Sequence, residues 1–275
     1  MNTNTLPNQP FLTHWGFTRT PFTRDPNPGH LSTHNGHLEA VARITWAVAQ
    51  HHIAVICGET GAGKTLAVKT AVNQLDPTRH LLIYIPDPTI GTRGIRSVIT
   101  ETLGETPCHS TGKLATQTHR LLTTELDERQ RLPILVIDEA HLLTNQDLET
   151  IRMLTNTNMD TQTSFATILI GQPTLRRRLK QAVLSALDQR VTTRYTIPPM
   201  TTTETKTYIT AHLAGAGQTQ QIFADDAIET ITHNARGLPR GVNNLATAAL
   251  IAAYTNNKTI IDNTSAQAAV ADTTE

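Results

Sequence analysis

The chain is poor in several features that define whole classes of protein. Only two of its 275 residues are cysteine, which excludes a disulfide framework and is typical of a reducing cytosol. Its 23 basic and 23 acidic residues cancel, so the overall charge does not indicate a strongly basic nucleic-acid binder. No apolar run approaches the ~18 residues of a membrane span, and no secretory signal pattern is visible. We therefore expect a cytoplasmic protein with no membrane partner.

Histidine is comparatively frequent, with 12 residues, and three of them lie close together at His30, His34 and His37. Such a group raises the question of a zinc site. The three lie among proline, glycine, asparagine and serine with no cysteine nearby, which favours ordinary loop histidines over metal ligands.

Short aliphatic runs alternate with longer segments of helical periodicity, and this pattern predicts an α/β domain with a parallel sheet. Aromatic residues make up only 4% of the chain, so aliphatic side chains must fill the core. The predicted strands are 53–57, 81–85, 134–137, 166–170 and 191–197. The predicted helices between them are 64–74, 94–103, 113–128, 147–154 and 175–187.

Strands stop after Pro198-Pro199, and the helical patterns 204–213, 226–234 and 240–254 follow. Thr201 and Glu204 have the spacing of a capping box at the start of the first. Four parts are therefore expected. They are an N-terminal extension without regular structure at 1–28, a core at 29–199, a helical lid at 200–262 and a flexible tail at 263–275.

One segment matches the pattern G-x-x-x-x-G-K-[ST] between a predicted strand and a predicted helix. Its residues are Gly58, Glu59, Thr60, Gly61, Ala62, Gly63, Lys64 and Thr65. In such a P-loop the backbone N–H groups and the helix dipole face a polyphosphate, while Lys64 reaches the terminal phosphates and Thr65 holds Mg²⁺. We therefore expect the chain to bind a nucleoside triphosphate through these residues.

Asp138 and Glu139 follow the apolar run 134–137, where the end of a central parallel strand meets the ligand. Asp138 is expected to hold Mg²⁺ as a Walker B aspartate, and Glu139 to polarise the attacking water. A helix N-cap is the plain alternative for such an acidic pair. The strand 81–85 falls between the two motifs in sequence, which fits the P-loop folds in which a strand separates the Walker strands. Hydrolysis is therefore predicted.

The residues Asp138-Glu139-Ala140-His141 also spell the DEAH box of helicases. Such helicases need two RecA-like domains and a late arginine-glycine-rich motif. This sequence predicts one sheet followed by helices, so the helicase interpretation fails.

Two further polar positions follow predicted strands or helices. Gln172 follows the strand 166–170, where its amide is placed to contact the γ-phosphate or the water, or serves as a plain turn residue. Arg190 follows the end of the predicted helix 175–187, and Arg194 lies in the strand beyond it. Either arginine is a candidate to reach a neighbouring subunit, and surface ion pairing is an equal alternative.

Arg240 stands in the first turn of a predicted helix, after Gly237 and Pro239. The helix dipole disfavours a cation at this position, so an anionic partner such as the γ-phosphate is indicated.

Two basic groups are candidates for contact with phosphate backbones, although a solvated helix face remains the plain interpretation of the first. The first group is Arg176, Arg177, Arg178 and Lys180. The second is Arg93, Arg96 and Lys113.

Taken together, these residues resemble the AAA+ ATPases of the ExeA (general secretion pathway protein A) type over nearly the whole chain. The resemblance includes Trp15-Gly16-Phe17 with Pro21-Phe22, His37-Leu38-Glu39-Ala40, both Walker motifs, Gly171-Gln172-Pro173, Gln189-Arg190-Val191 and Gly237-Leu238-Pro239-Arg240. It implies a three-layer AAA+ core with a helical lid, ATP and Mg²⁺ as cofactors, and an active site shared within a homo-oligomer. It also implies that Gln172 is sensor 1, Arg190 the arginine finger and Arg240 sensor 2.

Members of this group serve either secretion or transposition. Because the sequence shows no membrane span and no additional domain, the leading hypothesis is a transposition helper. In this role nucleotide state controls assembly on double-stranded DNA and a transposase is recruited. A secretion-associated or other protein-remodelling ATPase is the alternative, and a nucleotide switch with negligible turnover is a third.

Overall fold

The computed structural model describes residues 9–23, 34–155 and 163–274. The chain divides into two compact units. The helical unit comprises Met1–Gly36, Gly61–Gly63 and Pro198–Glu275, and the sheet unit comprises His37–Thr60 and Lys64–Ile197. Each unit has its own hydrophobic core.

The described part of the sheet unit contains five strands, one helix that precedes them and the helices that lie between them. The strands are β1 (Ile53–Cys57), β2 (His80–Ile85), β3 (Leu132–Ile137), β4 (Ala166–Gly171) and β5 (Val191–Thr196). The helices are α2 (Asn35–Ala49), which begins in the helical unit, α3 (Lys64–Asn73), α4 (Gly91–Thr102), α5 (Thr111–Asp127), α6 (Asn145–Leu154), α7 (Pro173–Leu179) and α8 (Ser185–Arg190).

All strand pairs are parallel, in the order β2-β3-β4-β1-β5. Every residue of β1, β3 and β4 is buried, so both faces of the central sheet are covered. Such strands read as continuous apolar runs, which is why the sequence revealed them. The predicted α/β class with a parallel sheet is confirmed.

The strand that separates the two Walker strands is β4, which pairs with both β1 and β3. The sequence pointed instead to the strand at 81–85, and this was wrong. That strand, β2, lies at the edge and pairs with β3. Order along the chain does not give order in a sheet, because each parallel connection is a crossover.

The predicted helix 175–187 is broken into α7, a 3₁₀ turn at Ala182–Leu184 and α8. Its four leucines are all buried in the core of the sheet unit: Leu175, Leu179, Leu184 and Leu187. Their uneven spacing would turn one of them out of the apolar face of a continuous helix, so the break keeps all four inside.

The helical unit contains α1 (Gln9–Trp15), α9 (Thr202–Gly215), α10 (Asp225–Asn234), α11 (Pro239–Thr255) and α12 (Asn263–Thr274). The predicted capping box at the start of α9 is confirmed. The Thr201 hydroxyl accepts from the Glu204 N–H, and the Glu204 carboxylate accepts from the Thr201 N–H.

Two expectations for the chain ends were wrong. Within the extension expected to lack regular structure, Gln9–Trp15 is a helix, and Trp15, Phe17 and Phe22 belong to the core of the helical unit. The tail expected to be flexible is α12, whose Ala266 and Ala269 are fully buried. In both segments small or aromatic side chains complete a core formed by residues far away in sequence.

The described residues bear on the expectations about membrane spans and metal sites. No helix among them is long and apolar enough to cross a membrane. They also contain no group of three or more histidine, cysteine, aspartate or glutamate side chains that could hold a metal ion. Of the three clustered histidines, His30 lies outside the described residues.

Candidate functional site

The P-loop connects β1 to α3, as the sequence predicted. Its start is tied to β4, because the Gly58 N–H donates to the Gly171 carbonyl over 3.2 Å. Lys64 begins α3 and is buried, and its Nζ donates to the carbonyls of Gly58 (2.9 Å) and Glu59 (3.0 Å). The loop thus folds around the ammonium group.

Burial lowers the pKa of Lys64, although the negative charges of Glu139 and Asp138 raise it in part. A bound anion beside this ammonium would favour its charged form, as the negative charges of Glu139 and Asp138 do. The position is therefore suited to a phosphate group that brings several negative charges.

Asp138 follows β3 and is almost fully buried. Its Oδ2 accepts a hydrogen bond from Thr65 Oγ1 over 2.7 Å, and its Oδ1 accepts from the Glu139 N–H over 2.8 Å. The structure thus brings together the two residues predicted to hold Mg²⁺. One hydroxyl and one carboxylate fit that ion, which prefers a few hard oxygen ligands and retains several waters.

Tyr84 is a third residue at this carboxylate, and it belongs to none of the motifs recognised in the sequence. It lies on β2, and its hydroxyl donates to Asp138 Oδ2 over 3.1 Å. Burial and the neighbouring Asp138 raise the pKa of Tyr84 to about 12, so the phenol keeps its proton. The only signal in the sequence was a polar ring near the end of an aliphatic strand.

Glu139 has left-handed backbone geometry, with φ of 48° and ψ of 32°. A non-glycine residue in this region is strained, and such strain is concentrated at functional sites. The turn leaves the side chain 45% exposed, with Oε2 3.2 Å from Nδ1 of His141. The carbonyl of His141 accepts from Arg178 over 2.8 Å. The carboxylate is thus accessible and has one defined neighbour.

Gln172 follows β4 and is the N-cap residue of α7, but its side chain makes no capping hydrogen bond. Because β4 pairs with β1 so that Gly171 lies opposite Cys57, Gln172 follows the sheet at the edge where the P-loop begins. Its side-chain amide is half-buried at this edge and does not cap α7.

The structure distinguishes the two finger candidates by their contacts. Arg194 donates to both the carboxylate and the carbonyl of Asp188, which gives it a structural ion pair within the sheet unit. Arg190 is the last residue of α8, and its Nη1 donates to Thr155 Oγ1 over 3.0 Å. Neither contact tests a role towards a neighbouring subunit, which stays a prediction.

Within the helical unit, Arg240 lies beside the Gly61–Gly63 segment of the P-loop. Its N–H donates to the Gly61 carbonyl over 3.2 Å, and a Cβ placed on Gly61 would lie 2.8 Å from Cβ of Arg240. Gly61 also has φ of +86°. Glycine is required at this position both for the backbone conformation and for the close approach.

Arg240 is the second residue of α11, as predicted, and its side chain is exposed. A Cβ on Gly237 would lie only 2.2 Å from the Met200 carbonyl oxygen, so the turn into this helix also requires glycine. Within the described residues, no hydrogen bond or ion pair occupies the Arg240 guanidinium. It therefore remains available to an anion.

The first basic group is largely engaged within the sheet unit. Arg176 donates to Thr196, Arg178 to His141 and Asn145, and Lys180 to Asp188, and the fourth member, Arg177, is exposed. In the second group, Arg93 donates to the His109 carbonyl over 2.6 Å while Lys113 is exposed. Burial lowers the pKa of the third member, Arg96.

Residues 48–179 match the family model described as AAA domain. This part of the chain is similar to AAA domains. The expected resemblance to the ExeA type is confirmed, because the chain is 31% identical over 246 residues to General secretion pathway protein A of Aeromonas hydrophila. That alignment covers 87% of this chain but only 44% of the relative, so the chain spans less than half of that protein.

Several solved structures share the fold. Cdc6p from Pyrobaculum aerophilum has a TM-score of 0.65 at 16% identity, over 87% of this chain and 67% of that one. Drosophila ORC bound to DNA has a TM-score of 0.65 at 14% identity, over 100% and 68% of the two chains. The RuvB branch migration motor of Thermotoga maritima has a TM-score of 0.54 at 17% identity, over 86% and 68%. At these identities the likeness shows the fold alone.

Proposed function

We propose that this chain is an AAA+ ATPase that hydrolyses ATP with Mg²⁺ in a site shared between copies of the chain, and that its nucleotide state controls its assembly on double-stranded DNA. In this proposal it acts in the cytoplasm as a transposition helper that recruits a transposase. The observation that carries the dependence on nucleotide is the hydrogen bond from the Arg240 N–H to the Gly61 carbonyl, because it places the first turn of α11 beside residues of the predicted phosphate-binding loop.

The residues of the P-loop and those that follow β3 and β4 support the proposed hydrolysis. The loop N–H groups and Lys64 bind the polyphosphate, and Thr65 with Asp138 would hold Mg²⁺. When bound, that ion would supply positive charge to neutralise the negative charge that develops on the phosphate during transfer. Glu139, exposed at the end of β3, accepts the proton of the attacking water. Gln172 orients that water or the γ-phosphate.

The role in assembly depends on two arginines. Arg240 is proposed to bind the γ-phosphate as sensor 2, because its guanidinium is exposed in the first turn of a helix, where the dipole disfavours a cation. Arg190 is proposed to act in the site of a neighbouring copy as the arginine finger. An interface that requires the γ-phosphate would form with ATP and loosen after hydrolysis.

Contact with DNA is proposed for the second basic group, in which Arg93 and Lys113 are exposed. The bond from Arg93 to the His109 carbonyl brings the start of α4 near the loop before α5, and Lys113 is exposed in the first turn of α5. Cations grouped in this way are suited to phosphate backbones rather than to base readout. Among the structural neighbours, the ORC protein was solved bound to DNA.

The hydrolysis step is tested by the variant Glu139→Gln. Phosphate release should fall by about 10²- to 10⁴-fold, the usual contribution of a general base, while nucleotide binding remains. Glu149→Gln is the matched control, because Glu149 pairs with Arg152 on α6. Equal turnover in the Glu139 variant and the native chain would contradict the assignment. Negligible turnover in the native chain would favour the nucleotide-switch hypothesis.

The DNA step is tested by mobility shift at low salt with ATP, a non-hydrolysable analogue and ADP. Duplex DNA should be bound with the first two nucleotides and released with ADP. The double variant Arg93→Ala/Lys113→Ala should bind duplex DNA more weakly than the native chain, whatever the DNA sequence. The variant Arg177→Ala, in the first basic group, should bind DNA like the native chain. Absence of binding in all nucleotide states would contradict the proposal.

A second candidate is an ATPase that remodels a protein assembly in secretion. The identity of 31% to General secretion pathway protein A favours it. If the chain forms nucleotide-dependent oligomers without binding DNA, this alternative explains both results.

A further inference from the structure

We propose that Tyr84 is a positioning residue for the Mg²⁺ ligands. Its hydroxyl holds the Asp138 carboxylate in the orientation that presents it, together with Thr65, to the metal. The inference rests on the proposed site for Mg²⁺ and ATP, and it adds a residue outside both Walker motifs.

The pairing of β2 with β3 places Tyr84 within reach. Tyr84 lies opposite Val136 in this parallel pair, two residues before Asp138, and the Asp138 N–H donates to the Ile85 carbonyl over 2.9 Å. The two strand ends are therefore fixed to each other by their backbones. A phenol is long enough to extend along the strand to the carboxylate, where the hydroxyl donates to Oδ2 over 3.1 Å.

The donors at Asp138 determine how its carboxylate is rotated. Oδ1 accepts from the Glu139 N–H, and Oδ2 accepts from both Thr65 and Tyr84. A carboxylate has about four lone-pair sites, so one site on Oδ1 remains for the metal or for one of its waters. Tyr84 thus supplies the third of the three hydrogen bonds that fix the carboxylate, and it leaves the last acceptor site unused.

Packing alone does not account for a tyrosine at this position. The side chain is 39% exposed on an edge strand, and Leu82, two residues earlier on the same face, is 40% exposed. A buried ring would gain from its apolar area, but a ring as exposed as Leu82 gains little. The contact that distinguishes Tyr84 is the hydrogen bond of its hydroxyl to an ionised group.

The test is Tyr84→Phe, which removes the hydroxyl and retains the ring. Binding of a fluorescent ATP analogue is titrated first in EDTA and then with increasing Mg²⁺. Affinity in EDTA should equal that of the native chain, because the P-loop is untouched. The Mg²⁺ concentration for half-maximal enhancement of binding should rise about tenfold, at the low end of the effects of groups that orient metal ligands.

Tyr195→Phe is the matched control. Tyr195 lies on β5 at the opposite edge of the same sheet, where its ring stacks on the Arg43 guanidinium at 4.9 Å, and phenylalanine retains that contact. Its Mg²⁺ dependence should equal that of the native chain. Circular dichroism and thermal melting establish that both variants are folded.

Unchanged Mg²⁺ dependence in Tyr84→Phe overturns the inference. So does a parallel loss of affinity in EDTA, because this would indicate a general structural defect. Both results leave the proposed function standing as long as the native chain binds nucleotide more tightly with Mg²⁺. If the native chain shows no such enhancement, the proposed Mg²⁺ site itself fails.

Discussion

The sheet unit and the helical unit position their functional side chains by different means. In the sheet unit, Lys64, Asp138 and Gln172 each follow a buried strand, so the shared carboxyl edge of a parallel sheet collects them. In the helical unit, Arg240 is positioned by two glycines, Gly61 and Gly237, whose missing side chains permit close backbone approach. The three side chains of the sheet unit are therefore positioned by strands adjacent to them in sequence. Arg240 is positioned by close packing against Gly61, which is distant in sequence.

The two units also build their cores differently. The sheet unit fills its core with aliphatic runs that are continuous in sequence. The helical unit draws on segments from both ends of the chain, including Trp15 and Phe17 from α1 and Ala266 and Ala269 from α12. Substitution of a single site residue in the sheet unit should therefore affect nucleotide binding or hydrolysis. Changes at either chain end should affect the stability of the helical unit.

The largest effect expected in the sheet unit is that of Lys64→Ala. Loss of the buried ammonium should reduce nucleotide affinity at least about 100-fold, because removing one partner of a buried charge pair costs about 3–5 kcal/mol. The fold should remain, since the Lys64 ammonium donates to carbonyls of its own loop rather than to another element of the described chain. Isothermal titration with ATP measures the loss, and Lys69→Ala on the exposed side of α3 is the control. Unchanged affinity would discredit the P-loop site.

In the helical unit, Trp15→Ala should cause the largest loss of stability. Trp15 is 2% exposed, and truncation of a buried aromatic side chain costs about 3–5 kcal/mol. Trp46→Ala on α2 is the control, because Trp46 is 51% exposed and should change the free energy of unfolding by less than about 1 kcal/mol. Urea denaturation measures both. Equal effects would mean that α1 is not part of the core of the helical unit.

A smaller, pH-dependent effect is expected at His212 in α9. Burial, together with the charge of Arg19, lowers the pKa of His212 from 6.5 to about 4. The unfolded chain therefore binds a proton between these values that the folded chain does not, so stability falls as pH decreases from 6.5 to 4. The loss amounts to about 3 kcal/mol for a difference of this size.

The measurement is urea denaturation of the native chain at several pH values between 4 and 7, compared with His212→Phe. That variant keeps an aromatic ring against Phe22 and Tyr208 and should lose this part of the pH dependence. His233→Gln, at an exposed position near the end of α10, should retain it. A native profile that is flat over this range would refute the prediction.

Much of the sheet unit was predictable because its signals are local. Buried parallel strands appear as apolar runs, and the P-loop has fixed spacing, so β1 to α3 and the Asp138-Glu139 pair were found directly. Tyr84 and His141 were not found, because each acts through a neighbour that only pairing of the strands or the turn after β3 brings close.

The chain ends were mispredicted for a related reason. Residues 263–274 are rich in alanine and threonine, and their helix depends on packing against α10 and α11 rather than on a strong apolar stripe. The segment before Gly16 is short, and a helix of this length is marginal without tertiary contacts. Composition alone therefore gave the appearance of irregular ends.

By itself, the sequence determined that the chain has a parallel α/β core with a P-loop and a Walker B pair, because strand burial, loop geometry and residue type are encoded within a few consecutive positions. Only the tertiary structure decided that β4 separates the two Walker strands, that Tyr84 reaches Asp138, and that both chain ends complete the helical unit. These features depend on which segments meet in space. Crossover connections and long-range packing determine those contacts, and a pattern of a few consecutive residues does not encode them.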